Sequence, residues 1–171
     1  DIGAYELQSI VLIVDSYSND DDGDFSEDNF SLREAINLAN ENPLPDFIDM
    51  TGLFGEIPVS DTSLVITDSV TIQGPDWFSL GIDGDSSLTA PMFVIDDSDV
   101  DSKIDVSFSG MEISGATAGA ILSLENLTID EVFFQANRNT TPGGAVVQQS
   151  GSLSIVASQF SGNSTSGVGA D

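Results

Sequence analysis

LTIDEVFFQAN (127–137) and LSIVASQFSGN (153–163) align without a gap. The alignment matches Phe134 with Phe160 and Asn137 with Asn163 at an interval of 26 residues, and Gly119-Ala120, Gly144-Ala145 and Gly169-Ala170 recur every 25. A period of this length marks a repeat architecture in which each unit buries its apolar face only by stacking on the next. Short apolar triplets fill the period, and no long amphipathic stretch or leucine-rich pattern competes with them. Upstream, Phe47–Met50, Ile57–Val59, Leu64–Ile66, Val70–Ile72, Leu80–Ile82 and Phe93–Ile95 have the same character, and they are separated by Gly, Asp, Ser and Pro. The reading is an all-β chain: a right-handed parallel β-helix, a solenoid of about 25-residue coils. Its inward residues stack as Ile, Leu, Val and Phe ladders at ~4.8 Å, and its outward residues carry Asp, Ser and Thr.

One helix precedes the coils. Ser31-Leu32-Arg33-Glu34 is a capping box, with the Ser hydroxyl and the Glu carboxylate each able to serve a backbone N–H that the first turn leaves unpaired. Leu32, Ala35, Ile36 and Ala39 follow at helical spacing, and Pro43 and Pro45 end the run. Such a helix is suited to cover the core face that a stack of coils exposes at its end. The expected organisation of the single domain is an N-terminal strand or extension over 1–15, an acidic loop and capping helix over 16–45, and the coils over 46–171.

The chain has 171 residues, with 29 acidic, 3 basic, no His and no Cys, for a net charge of −26. A polyanion without a basic patch does not displace counterions from nucleic acid, so no nucleic-acid partner is expected. Lack of His and Cys removes Ser–His–Asp and Cys–His nucleophiles and the usual zinc, haem and iron–sulfur ligands. The longest apolar run, Ile10–Val14, is far too short to span a membrane. Asp1-Ile2-Gly3-Ala4 lacks the basic start and apolar core of an export signal, so the chain reads as a mature secreted chain or a piece of a longer one. Self-repulsion at this charge is relieved by salt, which suits a saline or calcium-rich exterior.

FSLREAINLAN (30–40) resembles the CSLREAI signature of secreted bacterial and archaeal surface proteins. DFID (46–49), EIPV (56–59) and LVITDSVTIQGP (64–75) resemble that family's continuation, and the downstream GGA and FSGN segments resemble repeats of the chlamydial polymorphic outer-membrane proteins. The resemblance implies a right-handed parallel β-helix on a large exported protein with adhesive or structural roles, at the cell surface. Phe30 stands where the signature has Cys, so the disulfide implied by the family pattern is absent here. DIGAYE (1–6) resembles a segment that usually closes a block of coils, and here it opens the chain.

The sequence holds residues for three kinds of site. Ser18-x-Asp20-x-Asp22-Gly23 approaches a D-x-D-x-D-G calcium loop, with Asp20, Asp22 and Asp24 as candidate ligands; a solvated acidic loop is the plainer alternative, and no other cofactor is expected. The second acidic run, Asp96, Asp97, Asp99, Asp101 and Asp105, reads as an outward, solvated loop. For catalysis the cations are Arg33, Lys103 and Arg138, of which Arg138 alone lies on the coils, and one residue is not a site. A carbohydrate-binding or polysaccharide-active module is the alternative function. Trp77 and Phe78, in a turn after Gly74-Pro75, offer a sugar or partner contact, although packing as a lid is the plainer and favoured reading. Asn29, Asn126, Asn139 and Asn163 begin N-x-S/T sequons. The favoured function is non-enzymatic: a self-associating structural or adhesive subunit. Leu7, Ile10, Val11, Leu12, Ile13 and Val14 would form a strand donated to the open edge of a neighbour, giving head-to-tail filaments. The partners are then further copies of the chain or flanking repeats, and surface glycans if it is adhesive.

Overall fold

The computed structural model describes residues 8–140 and 143–166. Its elements in order are β1 (Val11–Ile13), α1 (Leu32–Glu41), β2 (Asp46–Asp49), β3 (Gly55–Val59), β4 (Leu64–Ile66), β5 (Val70–Gln73), β6 (Leu80–Gly84), β7 (Phe93–Ile95), β8 (Asp105–Ser114), β9 (Ile121–Ser123), β10 (Asn126–Gln135), β11 (Arg138–Asn139), β12 (Val146–Gln148), β13 (Leu153–Val156), β14 (Gln159–Ser161) and β15 (Ser164–Thr165). This is an all-β protein with one helix, and the strand pairings among the described residues are parallel.

The largest sheet runs β1-β2-β5-β8-β10-β13, with β14 also on β10, and β3 on β6, which joins β8. A second sheet runs β4-β7-β9-β12, and β11 pairs with β15. Register puts like on like. Leu12, Ile48, Ile72, Phe108, Ile129 and Ile155 face one another in successive strands. So do Ile57, Ile82, Ile113, Phe134 and Phe160. All of these but Ile155 and Phe160 are buried in one continuous core. Fully burying such a side chain contributes ~1.5–3 kcal/mol, so these columns are the main favourable term.

The apolar triplets of 106–113 and 127–134 do not form separate strands. They merge into β8 and β10, each bent once at a left-handed residue: Gly110 (φ 64°) and Glu131 (φ 53°). Ala157 (φ 46°) makes the corresponding bend between β13 and β14. Only Gly110 is a glycine, and it needs to be one. A Cβ there would sit 2.6 Å from the Gly74 carbonyl oxygen of the neighbouring strand.

Asn137 and Asn163, one period apart in the sequence, form a hydrogen-bonded corner. Asn137 is fully buried; its Oδ1 accepts from Ala116 N, and its Nδ2 donates to Ile113 O and to Asn163 Oδ1. Asn163 Oδ1 also accepts from Asn137 N, and Asn163 Nδ2 donates to Phe134 O. Every buried polar group of Asn137 thus has a partner, which is the condition for an amide to sit in such a place.

α1 closes the N-terminal end. Its capping box is complete: Ser31 Oγ accepts from Glu34 N at 3.1 Å, and Glu34 Oε2 accepts from Ser31 N at 3.0 Å. Leu32, Ala35, Ile36 and Ala39 point into the core, while Asn37 and Glu41 face solvent. Asn42 caps the C-terminus before the two prolines. No helix among the described residues is long and apolar enough to cross a membrane.

Candidate functional site

The two ends of the strand stack differ. At the N-terminal end α1 and the loop before it cover the core. Arg33 fastens this cover: Nε donates to the carbonyl and side-chain oxygens of Asn19, Nη1 to Ser63 O and Nη2 to Thr62 O. At the other end, Leu153, Ile155 and Phe160 occupy core columns but are 40%, 42% and 46% exposed. Their counterparts one strand back, Leu127, Ile129 and Phe134, are at most 1% exposed. The described residues therefore leave an apolar face and the outer edge of β13 uncovered.

The strand expected to be donated is already in use. β1 pairs with β2 of its own chain, and Leu12 and Val14 are buried in its own core. Sequence alone could not show this, because a strand for its own sheet and one for a neighbour's carry the same apolar pattern. What β1 offers is its other edge. Phe47 N donates to Ile10 O and Val14 N donates to Asp49 O, so even-numbered residues bond inward. Backbone groups alternate along a strand, so those of Val11 and Ile13 face outward. Their side chains are 65% and 64% exposed, and Ile10 is 37% exposed. Leu7 lies outside the described residues.

The loop offered as a calcium site is committed elsewhere. Asp22 Oδ1 accepts from Asp24 N, and Asp24 Oδ1 accepts from Ser26 N. These bonds to Ser26 hold the Asp24 carboxyl below the ordinary carboxylate range. The Asp20 carbonyl accepts from Ser31 Oγ at 2.6 Å, and Gly23 N donates to Glu34 Oε1 at 2.9 Å. The buried Glu34 carboxylate thus serves both the helix start and the loop. Asp20, Asp22 and Asp24 are not brought together as a ligand set. The one group of three carboxylates gathered within 4.8 Å among the described residues is Asp96, Asp97 and Glu125. Two of its members belong to the run expected to be solvated, and the third lies outside every candidate site of the sequence. Its only sequence signal is a lone charge inside ILSLENLTI (121–129).

A groove of about 280 Å³ lies beside Trp77 and Phe78. In-register pairing places Gly81 between Glu56 and Glu112, so two carboxylates flank a floor without a side chain. Burial raises the Glu112 carboxyl above the usual range; a bond from Ser114 opposes this, and the Asp83 and Glu56 charges reinforce it. Phe78 is 89% exposed, and Trp77 meets both Phe78 and Phe133 edge-on. Of the cations, Arg138 stands exposed on β11, and Lys103 pairs with Glu125 at 3.4 Å. No protein-family model matches this chain, and no curated protein or solved structure is significantly similar to it.

Proposed function

We propose that the chain is a right-handed parallel β-helix with an N-terminal capping helix, and that it serves as a non-enzymatic structural or adhesive component of a cell surface. Copies join head to tail by strand addition between the outer edges of β13 and β1. The resemblance of residues 30–40 to a signature of exported surface proteins supports the setting. The observation that carries the reading is the exposure of Leu153, Ile155 and Phe160 at positions where every earlier member of the same columns is buried. In the joined state Leu153 and Ile155 continue their column onto the β1 layer of the next copy, with backbone bonds between strands setting the register. The outer face of α1 is polar, so β1 carries the join. Negative charge on the outward faces opposes lateral clumping. A contact of this kind does not close on itself and yields filaments.

Val11→Pro tests this. Proline removes an N–H that faces the free edge and leaves the bonds to β2 in place. Deleting the strand would instead strip Leu12 and Val14 from the core and confound unfolding with lost assembly. Sedimentation velocity should show concentration-dependent assembly of the parent chain, and monomers for Val11→Pro and for Ile155→Asp. A parent chain that stays monomeric at millimolar concentration, or variants that assemble like it, would refute the reading.

The groove supports a second reading, a carbohydrate-binding or carbohydrate-active module. The exposed Phe78 beside Trp77 offers a flat apolar face for a sugar ring, and Glu56 and Glu112 offer acceptors for its hydroxyls. Binding of neutral oligosaccharides that is lost in Phe78→Ala would favour it. Hydrolysis lost in Glu112→Gln would make it an enzyme.

A further inference from the structure

The corner after β7 and β9 holds a charge arrangement that the protein alone leaves incomplete. Asp96 and Asp97 directly follow β7, Glu125 is the second residue of the two-residue turn between β9 and β10, and Leu124 N donates to Ile95 O, so the two corners lie on adjacent strands. One carboxylate oxygen from each of the three residues lies within 4.8 Å of the others. Glu125 is 1% exposed, and its Oε2 is buried without a donor. Among the described residues three buried side-chain oxygens lack a donor, and a second one, Gln148 Oε1, belongs to the amide whose Nε2 donates to Glu125 O at 2.6 Å. An ionised carboxylate is not buried with an oxygen unserved unless something else compensates it. Lys103 reaches only Oε1, at 3.4 Å.

We propose that Asp96, Asp97 and Glu125 form a Ca²⁺ site that fastens the 96–104 loop to the strand stack. Three carboxylates and the Lys103 ammonium leave two negative charges, the complement of a divalent cation. Oxygens on opposite sides of a Ca²⁺ shell of radius ~2.4 Å lie about 4.8 Å apart, so the three carboxylates are within reach of one ion. Asp96 Oδ1 accepts from Ser98 N and Asp97 Oδ1 from Asp99 N, so both aspartates are held in place by their own loop. Ca²⁺ takes six to eight oxygens in irregular geometry, whereas Mg²⁺ demands a near-ideal octahedron and gives up water reluctantly; ligands drawn from two separate corners suit the former. The ion would serve the unpaired Glu125 oxygen, and Lys103 would act as its internal competitor. The solvated reading of the 96–105 run is thereby replaced for its first two residues.

Isothermal titration of the chelator-treated chain with CaCl₂ at fixed ionic strength is the test, with MgCl₂ as the parallel arm. One saturable Ca²⁺ site is expected, with a dissociation constant on the order of 10⁻⁵–10⁻³ M, and Mg²⁺ at least ten-fold weaker. Glu125→Gln and Asp97→Asn should each weaken Ca²⁺ at least ten-fold. Asp22→Asn should leave it unchanged, and Lys103→Ala should tighten it severalfold. Asp97 is partly exposed, so Asp97→Asn decides the matter if Glu125→Gln fails to fold. Absence of saturable binding, equal affinity for Mg²⁺, unchanged binding in Asp97→Asn, or loss of binding in Asp22→Asn would each overturn the assignment.

Discussion

Phe160 lies flat on Phe134, with ring centroids 4.8 Å apart and planes 10° from parallel, yet Phe134 is fully buried and Phe160 is 46% exposed. The two residues occupy the same column of the same fold and differ in what lies above them. Phe134→Ala should cost ~3–5 kcal/mol, the range for emptying a filled aromatic site, whereas Phe160→Ala should cost about 1 kcal/mol in the monomer. Urea melts of dilute protein measure both. If copies join through β13 and β1 as proposed, the cost of Ile155→Ala should be larger in the assembled state than in the dilute monomer, because its column is then continued.

The left-handed bends give a second contrast. Gly110→Ala places a methyl 2.6 Å from Gly74 O at a φ of 64°, and should cost ~2 kcal/mol or more. Ala157→Gly should leave stability within about 0.5 kcal/mol of the parent or raise it, since relief of the left-handed conformation offsets the greater freedom of glycine when unfolded. Thermal melts that rank the two the other way would show that the bends are not where the strain resides.

Ser31 joins two structures with one hydroxyl, accepting from Glu34 N and donating to Asp20 O. Ser31→Ala should therefore cost ~1–2 kcal/mol, at the upper end for loss of a helix N-cap. Hydrogen exchange should accelerate at Gly23, whose N–H is held by the same Glu34 carboxylate. Unchanged exchange there would mean that the loop does not depend on the cap.

Glu112 supplies a pH signature. Its carboxyl is raised by burial, so the folded chain binds this proton more tightly than the unfolded chain does. Its contribution to stability is then full below the unfolded value, about 4.3, and is lost as pH rises through the folded value. Glu112→Gln should melt higher than the parent at pH 7 and equally at pH 4. Asp24, Asp76 and Asp99 act in the opposite sense. Their hydrogen bonds hold them below the usual range, so what they contribute is present above the unfolded value and lost as pH falls through the folded one.

The parallel strands, the capping helix and the Asn corner were legible because each is a local or strictly periodic pattern. The capping box lies within four residues, and Asn137 and Asn163 sit one period apart. The groove and the Glu125 cluster were not legible, because they depend on register across interrupted periods. Asp105 N donates to Ser69 Oγ across 36 residues, since the 96–104 loop lengthens that repeat, and no constant interval would align Glu112 with Glu56 and Gly81. The burial of Glu125 was hidden for a related reason: the sequence records its charge but not that the 96–104 loop and Gln148 come to lie beside it. The role of β1 stayed open because an apolar strand does not state which sheet will take it.

The Asn137–Asn163 corner bears on how the chain avoids error. More than a dozen short apolar segments here are nearly interchangeable in size and greasiness, so many mistaken pairings would hide comparable surface from water. The two asparagines, whose side chains share five specific bonds in one alignment, tolerate none of them: sliding either strand by a single residue strands several donors and acceptors at once. Apolar matter supplies the attraction, and the asparagines act as an address that makes one arrangement the ground state and turns its near relatives into dead ends.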